Sequence, residues 1–291
     1  MPRPRPASPT VSRRELANTL RQMREQARKT LAEAATALEM SAATLSRIET
    51  GIRVPRARDV KDLCEFYGLA DQGRVDALTT LVADAKETGW WESYTEVDDE
   101  YSTFIGLETA ATAIDQFEAT LIPTFLQTKA YSRAYHEAGL NPGRKKPLTE
   151  HDITKRIEVL TRRQQILGAG PNFRYKVILD EATLIRAVGG ASVMREQIDH
   201  LIAAASRSET EILVVPLARG AHPGLPGGFT ILTLPQPQVS DVVYIDSLAG
   251  QLFIETIDEL ARYRQIFHTL SDIALDPAAS LEALRRIMSG Y

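Results

Sequence analysis

The sequence predicts an α+β protein, with an all-α N-terminal domain of five helices and a larger C-terminal domain of mixed α/β structure. Up to about residue 87, apolar residues recur at spacings of three and four between capping and turn residues, as in short amphipathic helices. Beyond about residue 170, short β-branched runs alternate with helical patterns, which indicates a sheet covered by helices. The 291 residues, of which 44% are hydrophobic and 25% charged, fit an ordinary globular chain of about two domains.

The first two helices are predicted from their apolar stripes and their caps. We place the first helix at 12–27, with Ser12 as its cap. The second begins after Thr30 and ends near Glu39, because Thr30 and Glu33 have the spacing of a capping box. The two apolar stripes are formed by Leu16, Leu20, Met23 and Ala27, and by Leu31, Ala34, Ala35 and Leu38.

A third helix follows a short turn and has an outer face that suits a DNA major groove. It is predicted at 42–50, with Ser41 as cap, Leu45 and Ile48 inward and Gly51 as its end. The outer face is small or polar with one arginine, namely Ala42, Ala43, Thr44, Ser46 and Arg47. Alanine methyls can contact thymine methyls, and an arginine can donate to both guanine acceptors. Two helices joined in this way predict a helix-turn-helix, the alternative being a structural hairpin with a polar surface.

Two further helices complete the N-terminal domain. The fourth is predicted from Val60, Leu63, Cys64 and Tyr67, and the fifth at 73–86 from Leu78, Leu81 and Val82. Cys64 is the only cysteine and lies on an apolar stripe, which indicates a small core residue rather than a reactive thiol. A single cysteine cannot form an intrachain disulfide, and we therefore expect a reducing, cytoplasmic setting.

Charge is distributed unevenly along the chain. Residues 1–69 contain 13 basic and 8 acidic residues, a net charge of +5, whereas the remainder contains 21 and 30, a net charge of −9. A basic segment on an acidic body indicates that the segment binds a polyanion such as nucleic acid. A solvated basic surface is the alternative.

Residues 13–69 resemble the Cro/repressor-type helix-turn-helix of the XRE family of transcriptional regulators. The run TLAEAATALEMSAATLSRIETGIRVP matches the second helix, the turn, the recognition helix and the following loop of that family. Its most specific part is LSRIETG, with Pro55 four residues after Gly51. The family commonly has Gln where this chain has Leu31, which removes a customary DNA contact. It commonly has Gly where this chain has Glu39, which must then adopt a conformation that favours glycine.

The resemblance implies roles for residues on and around the third helix. It assigns base reading to Ala42, Ala43 and Arg47. It assigns phosphate contacts to Thr30, Thr44, Arg53 and Arg56. It also implies a structural ion pair between Arg24 and Glu49 that ties the first helix to the third. Because one such domain buries little surface on DNA, we expect a homodimer on a pseudo-palindromic double-stranded operator, with the dimer contacts in the C-terminal domain.

The predicted domains are a disordered tail at 1–11, a helix-turn-helix domain at 12–87 and a regulatory and dimerisation domain at 88–291. The tail MPRPRPASPT has no apolar run after it and is not typical of a secretion signal. The segment GWWESY at 89–94 and the acidic residues after it indicate a hinge. No apolar stretch approaches the roughly 20 residues needed to span a bilayer, so we expect no membrane association.

The C-terminal domain is predicted from segments with helical periodicity and segments with strand periodicity. Residues 104–138 are predicted to be mostly helical, with a break at Pro123. Further helices are predicted at 150–167, 192–206, 258–275 and 277–288. Strands are predicted at 173–179, 211–216, 229–234 and 242–246, in a sheet of four or five strands.

Residues 88–290 resemble the C-terminal domain of actinobacterial XRE-family regulators, including those of the WhiJ-like type. The matching runs are GWWESY, FIGLE, LIPTFLQTKAY, RRQQIL, LDEATL, GAHPG and VVYIDS, in that order. Thr124 and Phe125 depart from the common Pro-Gly-Leu-Leu-Gln-Thr form of the third run. The resemblance implies a transcriptional regulator, often encoded beside a small helper protein and in some cases antitoxin-like.

Two hypotheses describe how the C-terminal domain acts. In one it is a sensor, in which a small-molecule effector closes a cleft under the loop at 219–228. In the other it is a platform on which LIPTFLQT and GWWESY dock a helper protein, the antitoxin-like alternative. The candidates for this ligand or partner site are Trp90, Trp91, Phe125, Gln127, Arg163 and His222.

A hydrolase-like domain is a remote third alternative. Asp180 and Glu181 after a strand, with His222 in the loop GAHPGLPGG, are the minimum of an acid-base site. The chain lacks a G-x-S-x-G elbow, a Walker phosphate loop and a His-x-x-x-His pair. We therefore expect a protein that is not an enzyme and has no metal or cofactor.

Overall fold

A computed structural model describes residues 8–139, 147–166 and 173–291, which divide into two compact units. The first unit consists of the described residues up to Ser93 and the segment 235–240, and the second consists of the others. The first is helical, and the second combines helices with a six-stranded sheet, so the predicted α+β class is confirmed. The division falls after Ser93, a few residues beyond the predicted boundary at residue 87.

Five α-helices form the first unit. They are α1 (Pro9–Gln26), α2 (Leu31–Ala37), α3 (Ala42–Glu49), α4 (Ala57–Phe66) and α5 (Gln72–Lys86). The predicted start of the first helix at Ser12 is wrong, because Pro9 is tolerated at a first helical position and Val11 and Ser12 are buried. Residues 9–11 therefore belong to α1 and not to the expected tail, and residues 1–7 lie outside the described residues.

The caps of α2 and α3 form as predicted. At α2 the Thr30 hydroxyl accepts from the Glu33 amide at 3.2 Å, and the Glu33 carboxylate accepts from the Thr30 amide at 2.7 Å. At α3 the Ser41 hydroxyl accepts from the Thr44 amide at 3.1 Å. Between the helices Glu39 adopts a left-handed φ of 52°, where the XRE family commonly has glycine.

The core of the first unit joins all five helices. Leu20, Leu45 and Leu63 are fully buried at its centre, and Cys64 is buried with them, as predicted. Burial raises the pKa of the Cys64 thiol, as expected for an unreactive core cysteine. Most of the driving force for this domain therefore comes from apolar burial between helices that are individually too short to be stable alone.

A buried ion pair connects α1 to the last residue of α3. The Arg24 Nε donates to both Glu49 oxygens, at 2.8 and 3.0 Å, and Nη2 donates to Oε2 at 2.9 Å. Nη1 donates to the Lys29 carbonyl, which fixes the turn before α2 as well. The Glu49 side chain is only 4% exposed, and its hydrogen bonds raise the pKa of Arg24 further above its ordinary value.

The second unit contains seven helices and six strands in its described part. The helices are α6 (Asp99–Ala110), α7 (Lys129–Glu137), α8 (Glu150–Gln164), α9 (Glu181–Ile185), α10 (Ala191–Ala204), α11 (Ile257–Ile273) and α12 (Pro277–Ser289). The strands are β1 (Ala113–Glu118), β2 (Arg174–Asp180), β3 (Thr210–Val215), β4 (Phe229–Thr233), β5 (Val242–Ser247) and β6 (Gly250–Ile254). The predicted residue 167 of the long helix lies outside the described residues.

The prediction of four or five strands is wrong, because β1 and β6 join the sheet. The strand order is β3-β2-β1-β4-β5-β6, with β1, β2 and β3 parallel and the remaining pairs antiparallel. Residues 113–118 were expected to be helical, yet β1 is a central strand. Its polar residues find partners on β2: Asp115 pairs with Arg174, and Gln116 accepts from the Tyr175 hydroxyl at 2.8 Å.

The two faces of the sheet have different roles. Alternate side chains such as Phe117, Phe229 and Val243 form an apolar layer with Leu260 and Phe267 of α11. The opposite set, including Gln116, Glu118 and Tyr244, lines a cavity on the other side. Among the described helices, none has the length and apolar character required to cross a membrane.

We predict that Glu49→Ala will lower the free energy of unfolding of the first unit by about 3–5 kcal/mol, because it leaves the Arg24 guanidinium without its carboxylate. Hydrogen exchange of the α1 and α3 core amides in the full chain measures this change. The matched control is Asp62→Ala, which breaks an exposed ion pair with Arg58 on α4 and should cost at most about 1 kcal/mol. Equal effects of the two variants would contradict the assigned role of the pair.

Candidate functional site

The outer face of α3 is open to solvent. Ala42, Ala43 and Arg47 are exposed, whereas Leu45 and Ile48 on the same helix are buried. The Arg47 side chain makes one weak contact, from Nε to the Ala43 carbonyl at 3.3 Å. The three residues predicted to read bases therefore lie together on one accessible helical face.

The predicted phosphate contacts fall into two groups. Arg53 and Arg56 are exposed in the loop after α3, where Gly51 ends the helix with a φ of 74°. Thr44 is half-buried, and its hydroxyl lies 2.9 Å from that of Ser41.

Ile52, which the sequence reasoning missed, is 76% exposed beside Arg53. An isolated exposed isoleucine gives no sequence signal, since only the structure shows that it is not packed.

Thr30 is engaged in the capping box of α2. The Glu33 carboxylate accepts from the Thr30 amide and also from its hydroxyl, at 2.8 Å. These two hydrogen bonds lower the pKa of Glu33, so the carboxylate beside Thr30 is ionised. A phosphate that contacted the Thr30 hydroxyl would have to displace this carboxylate.

The six candidates for a ligand or partner site are divided between the two units. Trp90 and Trp91 belong to the first unit, where Trp91 is buried and packs edge-on against Trp90. Phe125, Gln127 and Arg163 line a cavity of about 960 Å³ in the second unit. His222 is not among the residues that line this cavity.

The cavity lies between the sheet and three helices. Its floor is formed by β1 and β5, its walls by α6, α7 and α8, and its rim by the segment 120–127 and the β5–β6 hairpin. The carboxyl ends of β1 and β5 lie at the same edge of the sheet, on either side of the start of β4, because both strands run in the same direction. A volume of this size matches pockets that hold small organic molecules.

Arg163 stabilises one wall of the cavity through contacts with other residues of the same unit. Its Nε and Nη2 donate to the two Glu108 oxygens at 2.7 and 2.6 Å, and Nη1 contacts the Tyr101 hydroxyl. Its guanidinium also lies over the rings of Phe104 and Phe125, 5.3 and 5.4 Å from their centroids. Burial acts to lower the pKa of Arg163, but Glu108 outweighs it, and the arginine stays charged.

The LIPTFLQT segment is held inside the second unit by amide side chains. Gln127 donates to the Ile122 carbonyl at 2.8 Å, and Gln164 donates to the Gln127 carbonyl at 2.7 Å. The fully buried Gln197 accepts from the Thr128 amide and donates to the Leu126 carbonyl. The apolar residues of the LIPTFLQT segment, Ile122, Phe125 and Leu126, are buried, so little of the segment is presented to a protein partner.

Two carboxylates at the strand ends were missed by the sequence reasoning. Glu118 ends β1 half-buried in the cavity, where it accepts from Gln116 at 2.7 Å. Burial raises the pKa of Glu118 to about 7, and repulsion from Asp246 of β5 adds to this effect. Asp246 is exposed as a residue, yet partial desolvation of its carboxyl and repulsion from Asp98 raise its pKa as well. No sequence pattern identified these two carboxylates. Residues 113–118 are predicted to be helical, so the sequence does not place Glu118 at the end of a strand.

The structure brings Asp180 and His222 together, but in a closed position. The His222 Nε2 lies 3.0 Å from Asp180 Oδ2, and the His222 side chain is only 2% exposed. The ring packs edge-on against Phe117. This contact fixes the loop that contains His222 to the end of β2, and both side chains of the pair are buried.

Comparison with known families assigns a domain to each unit. Residues 15–78 match the family model described as a helix-turn-helix domain. Residues 101–286 match the family model described as a domain of unknown function, DUF5753. No curated protein and no solved structure matches the chain.

We predict that Glu118→Gln will stabilise the second unit by about 1–3 kcal/mol at about pH 8, with the difference disappearing as pH falls toward about 5. The folded carboxyl keeps its proton up to about pH 7, whereas the unfolded one loses it near its ordinary pKa of 4.5, so the wild-type glutamate increasingly destabilises the fold between these values. The groups that face it are the Asp246 carboxyl and the hydroxyls of Tyr131, Tyr135 and Tyr175.

Urea unfolding of the full chain at several pH values measures this difference. The control is Glu282→Gln, which removes an exposed glutamate of α12. If Glu118→Gln and Glu282→Gln behaved alike at every pH, Glu118 would not have the raised pKa.

Proposed function

Because the chain belongs to the DUF5753 family and also carries a helix-turn-helix domain, we propose that it is a sequence-specific DNA-binding transcriptional regulator. In this proposal α3 enters the major groove and the second unit controls the protein. The single observation that carries it is the exposed face of Ala42, Ala43 and Arg47 on a helix whose other face is buried and whose end is fixed by Arg24. This is the geometry that base reading by a helix requires.

Charge supports the same assignment. The segment 1–69 has a net charge of +5 and the remainder −9, so DNA is attracted to one end of the chain and repelled by the other. Arg47, Arg53 and Arg56 are exposed on or just after α3. We propose that Arg47 reads a guanine, while Arg53 and Arg56 bind phosphates and set the register of the helix.

We further propose that the protein acts as a homodimer. One helix-turn-helix buries too little DNA surface for tight specific binding, and two copies related by a two-fold axis would read half-sites about 34 Å apart or a multiple of that distance. The dimer contacts are assigned to the second unit.

A small-molecule effector is favoured over a docked helper protein. The cavity of about 960 Å³ is large enough for an organic ligand. By contrast, the LIPTFLQT segment is largely buried and tied by Gln127, Gln164 and Gln197, and Trp91 of GWWESY is buried as well. The two segments expected to dock a partner therefore offer it little apolar surface.

We predict that Arg47→Ala will weaken binding to the selected operator by about 1–3 kcal/mol and relax the preference at one base pair. Arg53→Ala should weaken binding to all sequences alike and reduce the slope of log K against log salt by about one unit. Fluorescence anisotropy with labelled duplexes at several salt concentrations separates these effects. The control is Arg195→Ala, which removes an exposed arginine from α10 and should change neither quantity.

We predict that Glu33→Gln will strengthen DNA binding several-fold at low salt, with a smaller gain at high salt. A glutamine keeps the capping box with Thr30 but removes the negative charge at the N-terminus of α2. The same anisotropy titrations measure this change, with Glu65→Gln on α4 as a charge-matched control. Unchanged or weaker binding by Glu33→Gln would show that this end of α2 does not face DNA.

A further inference from the structure

We propose that the cavity of the second unit binds an organic cation, a protonated amine or amidine attached to an aromatic or apolar group, with Glu118 and Asp246 as its counter-ions. This inference deepens the proposed regulatory function, since it names the chemical class of the effector and the residues that recognise it.

The charge of the cavity favours a cation. In the described part of the chain, no cationic side chain forms an ion pair with Glu118 or Asp246, and the negative charge of Asp246 adds to the cost of ionising Glu118. The arginines of the lining are engaged elsewhere: Arg163 with Glu108, and Arg156 through a hydrogen bond from Nη2 to the Glu96 carbonyl at 3.0 Å. Glu118 is half-buried, whereas Asp246 is exposed. A partly buried carboxylate without a counter-charge destabilises a fold, and such groups concentrate where a ligand supplies the missing charge.

A buried polar group without a hydrogen-bond partner among the described residues also lines the cavity. Tyr244 of β5 lines the cavity and is 94% buried, since its exposed fraction is 6%. Its hydroxyl has no hydrogen-bond partner in the described part of the chain, although its ring stacks on Phe104 with centroids 3.9 Å apart. The Gln251 side-chain carbonyl of β6, also in the lining, is likewise buried without a donor. Buried polar atoms of this kind are normally satisfied, and a ligand that donates hydrogen bonds would satisfy them.

Acceptor oxygens and aromatic rings occur together in the lining of the cavity. Glu118, Asp246 and Gln251 offer acceptor oxygens at the strand ends, and the nearby walls carry Tyr101, Phe104, Phe125, Tyr135 and Tyr244. Aromatic faces attract cations as well as apolar groups. A cation that carries several hydrogen-bond donors and an aromatic group meets both requirements, whereas an anion would be repelled by Glu118 and Asp246.

A bare metal ion fits less well. Among the described residues, no group of three or more potential metal ligands is clustered, and the cavity is much larger than a hydrated ion requires. Gly228 packs closely against Glu118, since a Cβ built there would lie 2.8 Å from Glu118 Oε2. This close approach fixes the carboxylate at the cavity wall and leaves room in front of it.

The test is isothermal titration of the full chain, without DNA, with matched probes. The cationic probes are 2-phenylethylamine, tryptamine and benzamidine, and the isosteres of the first are neutral 2-phenylethanol and anionic phenylacetate. We expect at least one cation to bind saturably, and both isosteres to bind at least about tenfold more weakly. No saturable binding by any of the three cations below roughly 10 mM, or tighter binding of phenylacetate or of Mg²⁺, would overturn the proposal.

Variants locate the site. Glu118→Gln and Asp246→Asn should each lower the affinity for the cation by about tenfold or more. Tyr244→Phe, which keeps the ring stack, should lower it by about fivefold. Glu282→Gln, an exposed change on α12, should leave its affinity unaltered. Binding that ignores all three cavity variants would place the cation elsewhere and refute the site. Unfolding curves of each variant, taken in parallel, separate loss of binding from loss of fold.

The outcome is independent of the DNA experiments. If no cation bound while the duplex titrations succeeded, the proposed class of effector would be wrong and the proposed DNA-binding function would stand. Cation binding that succeeds in a protein that ignores every duplex would leave the cavity assignment and remove the proposed function.

Discussion

The ion pair between Arg24 and Glu49 is the interaction on which the presentation of α3 depends. The helix has only eight residues and is too short to be stable alone. Its position is therefore set by the buried side chains of Leu45 and Ile48 on one face and by this ion pair at its end. The same arginine also holds the Lys29 carbonyl at the start of the turn into α2. One guanidinium therefore links the first three helices and leaves the face of Arg47 free for another molecule.

The second unit follows a different principle. Its sheet packs one face tightly on α11 and leaves the other over a cavity, where strands running in the same direction bring Glu118 and Asp246 to one edge. The wall nearest to these residues already contains a satisfied ion pair, Arg163 with Glu108. The two carboxylates without a cationic partner among the described residues are therefore a local feature of the cavity and not a general property of an acidic domain.

Sequence reasoning succeeded where short-range chemistry determines structure. Capping at Thr30 and Ser41, the apolar stripes of the first unit and the burial of Cys64 all follow from residues a few positions apart. It failed at β1, whose polar residues Asp115 and Gln116 read as helical because their partners Arg174 and Tyr175 are about sixty residues away. With β1 unassigned, the strand edge that holds Glu118 could not be located. The separation of His222 from Phe125 likewise depends on tertiary structure that no local pattern encodes.

Selection from a randomised duplex library tests the central claim most directly. The full-length protein would be incubated with the library at low ionic strength, and the retained duplexes would be sequenced after several rounds. The account predicts enrichment of one short motif repeated with two-fold symmetry, with centres about 10–10.5 base pairs or a multiple of that spacing apart. Retention of no duplex, or of duplexes whose sequences match those of the input library, would contradict it.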